Sequence, residues 1–389
     1  MGSAVNMGDC GGYLDEKVFR AQARDWLISN RPRAARPSDF AGQRAFDQAW
    51  QKCQFEGGWA GLAWPVEYGG RGVSLARQLI WYEEYAKARC PPVGDTCWLG
   101  LNHAGPTLMS MGSHEQQMLY LPAILKGEDL WCQGFSEPGA GSDLANIRTR
   151  GVIDGQHLVI SGQKLWTSFA HLCDYQELLI RTDPESTRHS GLTWIIGDMR
   201  AEGVRVRPIM SLSGDYHNCE VFYDDVRVPL ANVVGGIGDG WRVAMATLGF
   251  ERATAGFGEM CELTVLVEDL VEYANTRSAI SEELGGRLAS LRADVQALNA
   301  FAQGTIARAA SGNIPGAEGS IARLAQSELQ QRAGRLAIDL LGPQGLNRSA
   351  HKAWVHYYLL AFSHTIAGGT SEIQRNIIGE RVLGLPRHG

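Results

Sequence analysis

The spacing of apolar positions changes twice along this 389-residue chain, and those changes divide it into three regions. From Leu14 the period is helical, with Phe19, Ala23, Trp26 and Leu27 on one stripe, until Pro32 and Pro37 break it. Further helices are predicted from Arg44 towards Cys53, over Ser74 to Ala88 and around His114 to Leu125. The run Gly57 to Gly72 reads as a glycine-turned loop anchored by aromatics, and His103-Ala104-Gly105-Pro106 as a bend before a Met-containing stretch. After Leu130 the pattern becomes short β-rich segments at 152–153, 158–160, 178–180, 194–196, 204–206 and 220–223, separated by turns such as Asp154-Gly155 and Ser190-Gly191. No long helical stretch separates them, so a mostly antiparallel sandwich or small barrel is expected. Helical period returns from Trp241 to about Tyr273. It continues in the stripe Leu288, Leu291, Val295, Leu298, Ala302, Ile306, and again from Ile321 to Leu341, ended by Gly342-Pro343-Gln344-Gly345. Three long antiparallel helices and a shorter terminal one predict a bundle. The expected division is a helical domain over 13–130, a β domain over 131–235 and a four-helix-bundle domain over 236–389.

Composition narrows the class. An apolar fraction of 44% supports a sizeable core, and a formal charge of -6 with both signs scattered argues against a nucleic-acid or anionic-membrane binder. The eight cysteines contain no CxxC pair and read as small buried hydrophobes in a reducing compartment, with no metal site. No apolar run is long enough to span a bilayer, and the Gly-rich Met1 to Gly12 stretch has no secretory or mitochondrial pattern, so a cytoplasmic location is expected.

Two runs carry candidate chemistry. Gly134-Phe135-Ser136-Glu137-Pro138-Gly139-Ala140-Gly141-Ser142-Asp143 is a Pro/Gly-shaped loop whose small residues let backbone N–H groups approach a ligand. Gly162-Gln163-Lys164-Leu165-Trp166-Thr167-Ser168 sets an indole beside hydroxyls in strand-like sequence, a combination suited to flanking a flat aromatic cofactor. Each alone also reads as a turn or as a packed tryptophan. There is no GxGxxG after a first strand and no Walker lysine loop, which removes the Rossmann and P-loop readings. Phe250-Glu251-Arg252 lies in a helical pattern, where by itself the pair reads as a solvated ion pair; His103 by itself reads as structural.

Together, in this order and spacing, the two runs resemble the middle-domain signature of the acyl-CoA dehydrogenases, which are flavoproteins. Gly58-Trp59 through Tyr68-Gly69-Gly70 resembles a first-domain segment of the same family, and Arg381 to Pro386 its tail, so the likeness spans roughly Leu14 to Arg387. The resemblance implies an α+β fold with an N-terminal helical domain, a middle antiparallel β domain and a C-terminal helical bundle. It implies FAD bound at Phe135, Ser136, Trp166 and Ser168, with Thr370 and Glu372 also touching it, and the coenzyme A part of the substrate passing Ser142. The reaction implied is α,β-dehydrogenation of an acyl-CoA thioester to the trans-2-enoyl-CoA, with electrons passed to an electron-transfer flavoprotein.

Relatives place the catalytic base either as a Glu-Arg pair on the helix after the sheet or as the Glu of a late EGT run. Here the late run is Ile366-Ala367-Gly368-Gly369-Thr370, and Gly368 cannot take a proton. The matching base is therefore Glu251, with Arg252 orienting it or meeting the acyl-CoA and the Gly368 N–H polarising the thioester carbonyl. Small residues at 367–368 are compatible with a branched or bulky acyl group, including a steroid side chain.

Departures from the family pattern accompany these matches. After Arg277, which reaches the neighbouring subunit's flavin in relatives, the chain reads Ser278-Ala279-Ile280 instead of the usual x-x-Phe-Gly. Asp339 replaces a glutamine and Pro343 a glycine, and an unpaired carboxylate there would repel the flavin pyrophosphate. These changes fit a heterotetramer of unlike subunits, with a homotetramer as the alternative. An acyl-CoA oxidase-like enzyme and a non-autonomous subunit remain as alternative functions.

Overall fold

In the computed structural model, residues 13–254, 256–277, 280–311, 316–347 and 352–386 are described, the side chains of 13–14 and 251–254 excepted. The N-terminal region contains α1 (Tyr13–Asn30), α2 (Phe40–Glu56), α3 (Leu75–Lys87), α4 (Gly105–Met111) and α5 (His114–Lys126). The sheet region holds β1 (Trp131–Gly134), β2 (Arg150–Asp154), β3 (His157–Ser168), β4 (Tyr175–Arg181), β5 (Leu192–Asp198), β6 (Val204–Ile209) and β7 (Asn218–Pro229). Then follow α6 (Gly240–Thr254), α7 (Gly256–Asn275), α8 (Glu282–Ala310), α9 (Gly319–Leu341), α10 (Lys352–His364) and α11 (Ser371–Ile377).

Local chemistry sets many of these boundaries. The side chains of Asp39, Ser74 and Ser281 accept from backbone N–H groups in the first turns of α2, α3 and α8. Ser113 and Gln116 form a reciprocal capping box on α5, which ends at Gly127 with φ +75°. The cap on α2, Asp39, lies five residues before Arg44, so that helix is longer than its apolar spacing predicted.

One expectation is corrected. The bend predicted at His103-Ala104-Gly105-Pro106 is instead a π-helical turn, Gly100–Ala104, running straight into α4. Pro106 follows directly on that turn and has no N–H to continue its bonding, and the Leu101 carbonyl accepts from Trp64 Nε1 (2.8 Å) instead. Helix is found over 240–254 (α6) and 256–275 (α7), as expected for 241–273, and residue 255 between them is outside the described residues.

The sheet runs β1-β4-β2-β3-β7-β6, with β5 also on β4. It is mostly antiparallel as expected, but β1 pairs parallel to β4 and was not foreseen as a strand. β4 is buried along both faces: Leu178 and Ile180 join a cluster with Leu158, Ile160, Val221 and Tyr223, while Leu179 joins one with Trp131, Trp194 and the α4–α5 region. The predicted stripe of α8 is wholly buried, and packs with α7, α9 and Leu79 of α3 in one apolar core. The C-terminal helices thereby pack directly on α3 of the N-terminal region, while α6 lies against β4 and β5 of the sheet and against α4.

Candidate active site

The rim of the sheet is built by strands β1 and β3. The chain leaving β1 closes a tight turn in which Glu137 N donates to Ala140 O (2.9 Å) and Ala140 N to Glu137 O (3.1 Å), with Pro138-Gly139 at the tip. Lys164 of β3 is completely buried and points beneath this loop. Its Nζ lies 2.9 Å from Glu137 Oε1 and 3.0 Å from the Phe135 carbonyl. The Glu137 carboxylate also accepts from the N–H groups of Arg148 (2.6 Å) and Thr149 (2.9 Å). Burial pushes Lys164 down to about 8 against the pull of Glu137. At Glu137 burial acts upward, but Lys164 and the backbone donors hold its carboxyl below the usual range. Four hydrogen bonds thus tie the loop to β3 and to the segment that leads into β2.

Leu165 N donates to Ser136 O (2.9 Å), which sets Phe135 and Ser136 beside the end of β3. The register with β7 slips between Lys164 and Thr167, and in that bulge Trp166 has φ +62°, uncommon for a bulky residue. Its indole is 58% exposed, whereas Phe135 is buried. Two residues on, Ser168 Oγ lies 3.1 Å from His217 Nε2, and burial drives that imidazole down to about 4, so it is neutral. Phe135, Ser136, Trp166 and Ser168 therefore converge on one rim. A strained, exposed aromatic face flanked by a hydroxyl and a backbone turn fits a flat cofactor such as the flavin of FAD. Ser142 lies exposed farther along the same loop.

The C-terminal helices approach this rim through His356 of α10, whose Nε2 hydrogen-bonds Asp215 in the β6–β7 turn. α10 leads into the 365–370 loop, where Gly368 and Gly369 have φ +67° and +99°. Gln374 Nε2 donates to both their carbonyls, at 3.0 and 3.3 Å, and Arg323 donates to the carbonyls of His364 and Ala367. Thr370 caps α11 through Ile373 N (3.3 Å). The helix-start N–H and the Thr370 hydroxyl hold the exposed Glu372 carboxyl below its usual range. Glu251 and Arg252 lie in the last turns of α6, and their side chains are outside the described residues.

Arg277 and Asp339 make their contacts away from this rim. Arg277 Nη1 bonds Tyr273 Oη (2.9 Å), and Asp339 pairs with Arg287 (2.6 Å), the partner an acidic group there requires. Pro343 opens the turn Gly342–Leu346 after α9; residues 278–279 are outside the described residues. Sequence reading missed Lys164, Glu137, His217, Arg323 and Gln374. The one signal was Lys164, a lone charge inside an alternating β segment.

The sequence pattern of the acyl-CoA dehydrogenase N-terminal domain matches residues 14–128, that of the middle domain 132–226 and that of the C-terminal domain 238–383. Acyl-CoA dehydrogenase IpdE1 of Mycobacterium tuberculosis is 40% identical over 388 residues, covering 96% of this chain and 98% of that protein. Acyl-CoA dehydrogenase FadE26 of the same organism is 36% identical over 85% of this chain and 86% of its own length. Among solved structures, the Tcur3481-Tcur3483 steroid ACAD superposes with a TM-score of 0.86 at 30% identity, covering 97% of this chain and 99% of that one. The ChsE4-ChsE5 complex from Mycobacterium tuberculosis gives 0.82 at 30% identity, covering 97% and 99%. A three-domain match across nearly the whole length, on a fold of helices, sheet and helices, places this chain in the acyl-CoA dehydrogenase family, oxidoreductases that act on CH–CH bonds.

Proposed function

We propose that the chain is an FAD-dependent enzyme that converts an acyl-CoA thioester to its trans-2-enoyl-CoA, using Glu251 as the base. The observation that carries this reading is Gly368: a backbone-only position at φ +67° in the late loop leaves Glu251 as the carboxylate matching the family's alternative placement. Phe135, Ser136, Trp166 and Ser168 would hold the flavin, with Thr370 and Glu372 at the start of α11 and Arg277 reaching a neighbouring subunit's cofactor. Bound FAD would supply the acceptor for the hydride leaving the substrate's β carbon. Glu251 takes the α proton, the electron pair of that C–H bond forms the new C=C bond, and the Gly368 N–H steadies negative charge developing on the thioester oxygen. Ser142 and Arg252 would meet the coenzyme A portion. The three functional units would be 13–130, 131–235 and 236–389, working in the cytoplasm and passing electrons to an electron-transfer flavoprotein.

The acyl group is bulky and steroid-derived in this reading, supported by small residues at 367–368 and by two similar structures described as a steroid ACAD and a two-protein complex. The assembly proposed is a tetramer containing a second, unlike chain. The test is the FAD-to-chain ratio of the purified protein, followed by anaerobic addition of butyryl-, octanoyl-, palmitoyl- and steroid side-chain CoA thioesters. Bleaching of the flavin band, abolished by Glu251→Gln with FAD retained, supports the reading. Bleaching at the parent rate in Glu251→Gln refutes the assignment of the base, and flavin-free protein that gains FAD only with a second chain identifies a non-autonomous subunit.

A further inference from the structure

Helices α4 and α6 lie antiparallel. Arg242, in the first turn of α6, places Nη1 2.9 Å from Sδ of Met111 at the end of α4. Farther along, the hydroxyls of Thr247 and Thr107 are 2.8 Å apart, both buried. Numbers therefore rise along α6 as they fall along α4. One more turn on each helix, about 6 Å at 1.5 Å per residue, sets position 103 opposite position 251. The residue at 251 is Glu251, and that at 103 is the buried His103.

His103 sits in the π-helical turn, a local widening that in helices concentrates at functional sites. The turn is braced from outside. Trp64 Nε1 donates to Leu101 O (2.8 Å), and a Cβ at Gly105 would lie 2.2 Å from the same indole, so glycine there lets Trp64 close against the backbone. The imidazole itself is held at its edge by Trp98, with ring centroids 4.9 Å apart. Gln133 Nε2 is 3.2 Å from His103 Nδ1. An amide donor at Nδ1 makes that nitrogen the acceptor and puts the ring proton on Nε2. Gln133 is in register with the buried Glu177 of β4 and immediately precedes Gly134, so the same strand that carries the rim orients the imidazole.

We infer that His103 is a positioning residue for the reaction: with Nδ1 held by Gln133, its Nε2–H is a donor that orients the Glu251 carboxylate towards the substrate α carbon. This rests on the reading of Glu251 as the base. The geometry serves that task because a general base works only when its lone pair is aimed, and a small misplacement is costly.

The test uses the full-length holoenzyme and the thioester from the panel above that reduces the flavin fastest. Exchange of its α protons in D2O, followed by NMR, reports the base independently of flavin reduction, which is measured separately under anaerobic conditions. His103→Leu is expected to slow both by roughly 10- to 100-fold with the thioester Kd unchanged, and His103→Gln, which retains a donor, to recover most of the rate. Parent-like exchange in His103→Leu, or a His103→Gln variant as slow as His103→Leu, overturns the inference. If His103→Leu does not fold, Gln133→Leu serves instead: slower exchange supports the role, and the parent rate overturns it. Glu251→Gln separates the two readings. If it exchanges at the parent rate the base assignment itself falls, whereas its inactivity beside an active His103→Leu sinks only the positioning role.

Discussion

Lys164 Nζ stands 2.9 Å from Glu137 Oε1, with the lysine side chain fully buried and the glutamate nearly so. The pair ties the loop after β1 to β3, and Lys164 adds a bond to the Phe135 carbonyl. Removing one member of such a pair strands the other charge in a poorly solvated place. Lys164→Met is therefore expected to lower unfolding free energy by about 3–5 kcal/mol and to reduce the FAD content of the purified protein. Denaturant unfolding and the flavin-to-protein absorbance ratio check this. A variant as stable as the parent would show that the backbone N–H groups alone hold Glu137.

The indole of Trp166 is mostly exposed, so its truncation removes little packing. Trp166→Ala should change the stability of the flavin-free protein by less than about 1 kcal/mol. If the indole covers the cofactor, the same change should weaken FAD binding by about tenfold or more, since loss of a stacked aromatic contact is worth roughly 0.5–1.5 kcal/mol beyond its buried area. Titration of the apoprotein with FAD measures it, and unchanged affinity would remove Trp166 from the cofactor site.

Glu262 of α7 accepts a 3.0 Å hydrogen bond from Val93 N, and burial raises its carboxyl to about 7. A folded-state value above the unfolded one means the group's stabilising contribution is complete below about 4.5 and is lost as pH rises through about 7. Glu262→Gln keeps an acceptor for Val93 but cannot ionise. It should gain stability over the parent at pH 8, by about 3 kcal/mol at most, and little at pH 4.5. Urea midpoints at the two pH values decide it, with equal differences at both refuting the burial argument.

Asp339 and Arg287 form a half-exposed pair 2.6 Å apart. Such pairs contribute about 0–1 kcal/mol, so Arg287→Ala should barely move the melting temperature. If Asp339 faces a flavin pyrophosphate, Arg287→Ala should lower bound FAD in the assembled enzyme, and adding Asp339→Asn should restore it. Bound FAD is read from the flavin spectrum after gel filtration. Full occupancy in Arg287→Ala would place Asp339 away from the cofactor.

By itself the sequence determined the helical and β regions, because periods of 3.6 and 2 report which face of an element is buried. The buried stripe of α8 and every strand except β1 were legible that way. β1 was not, since four residues ending in glycine carry too little alternation, and their strand character comes from parallel pairing with a distant β4. The predicted bend at His103 to Pro106 failed for a related reason: the N–H that the proline lacks is replaced by the indole of Trp64, some forty residues earlier, which donates to the Leu101 carbonyl and lets the helix continue. Local composition also exposed the glycine-rich loop and Trp166 as candidates, because their backbone and side-chain chemistry is unusual wherever it occurs. What lies beneath that rim was decided by tertiary structure alone. Lys164 meets Glu137 across 27 residues, and His103 meets Gln133 across 30. Such partners are set by strand register, by the bulge before Thr167 and by the antiparallel crossing of α4 and α6, none of which is encoded in any local period.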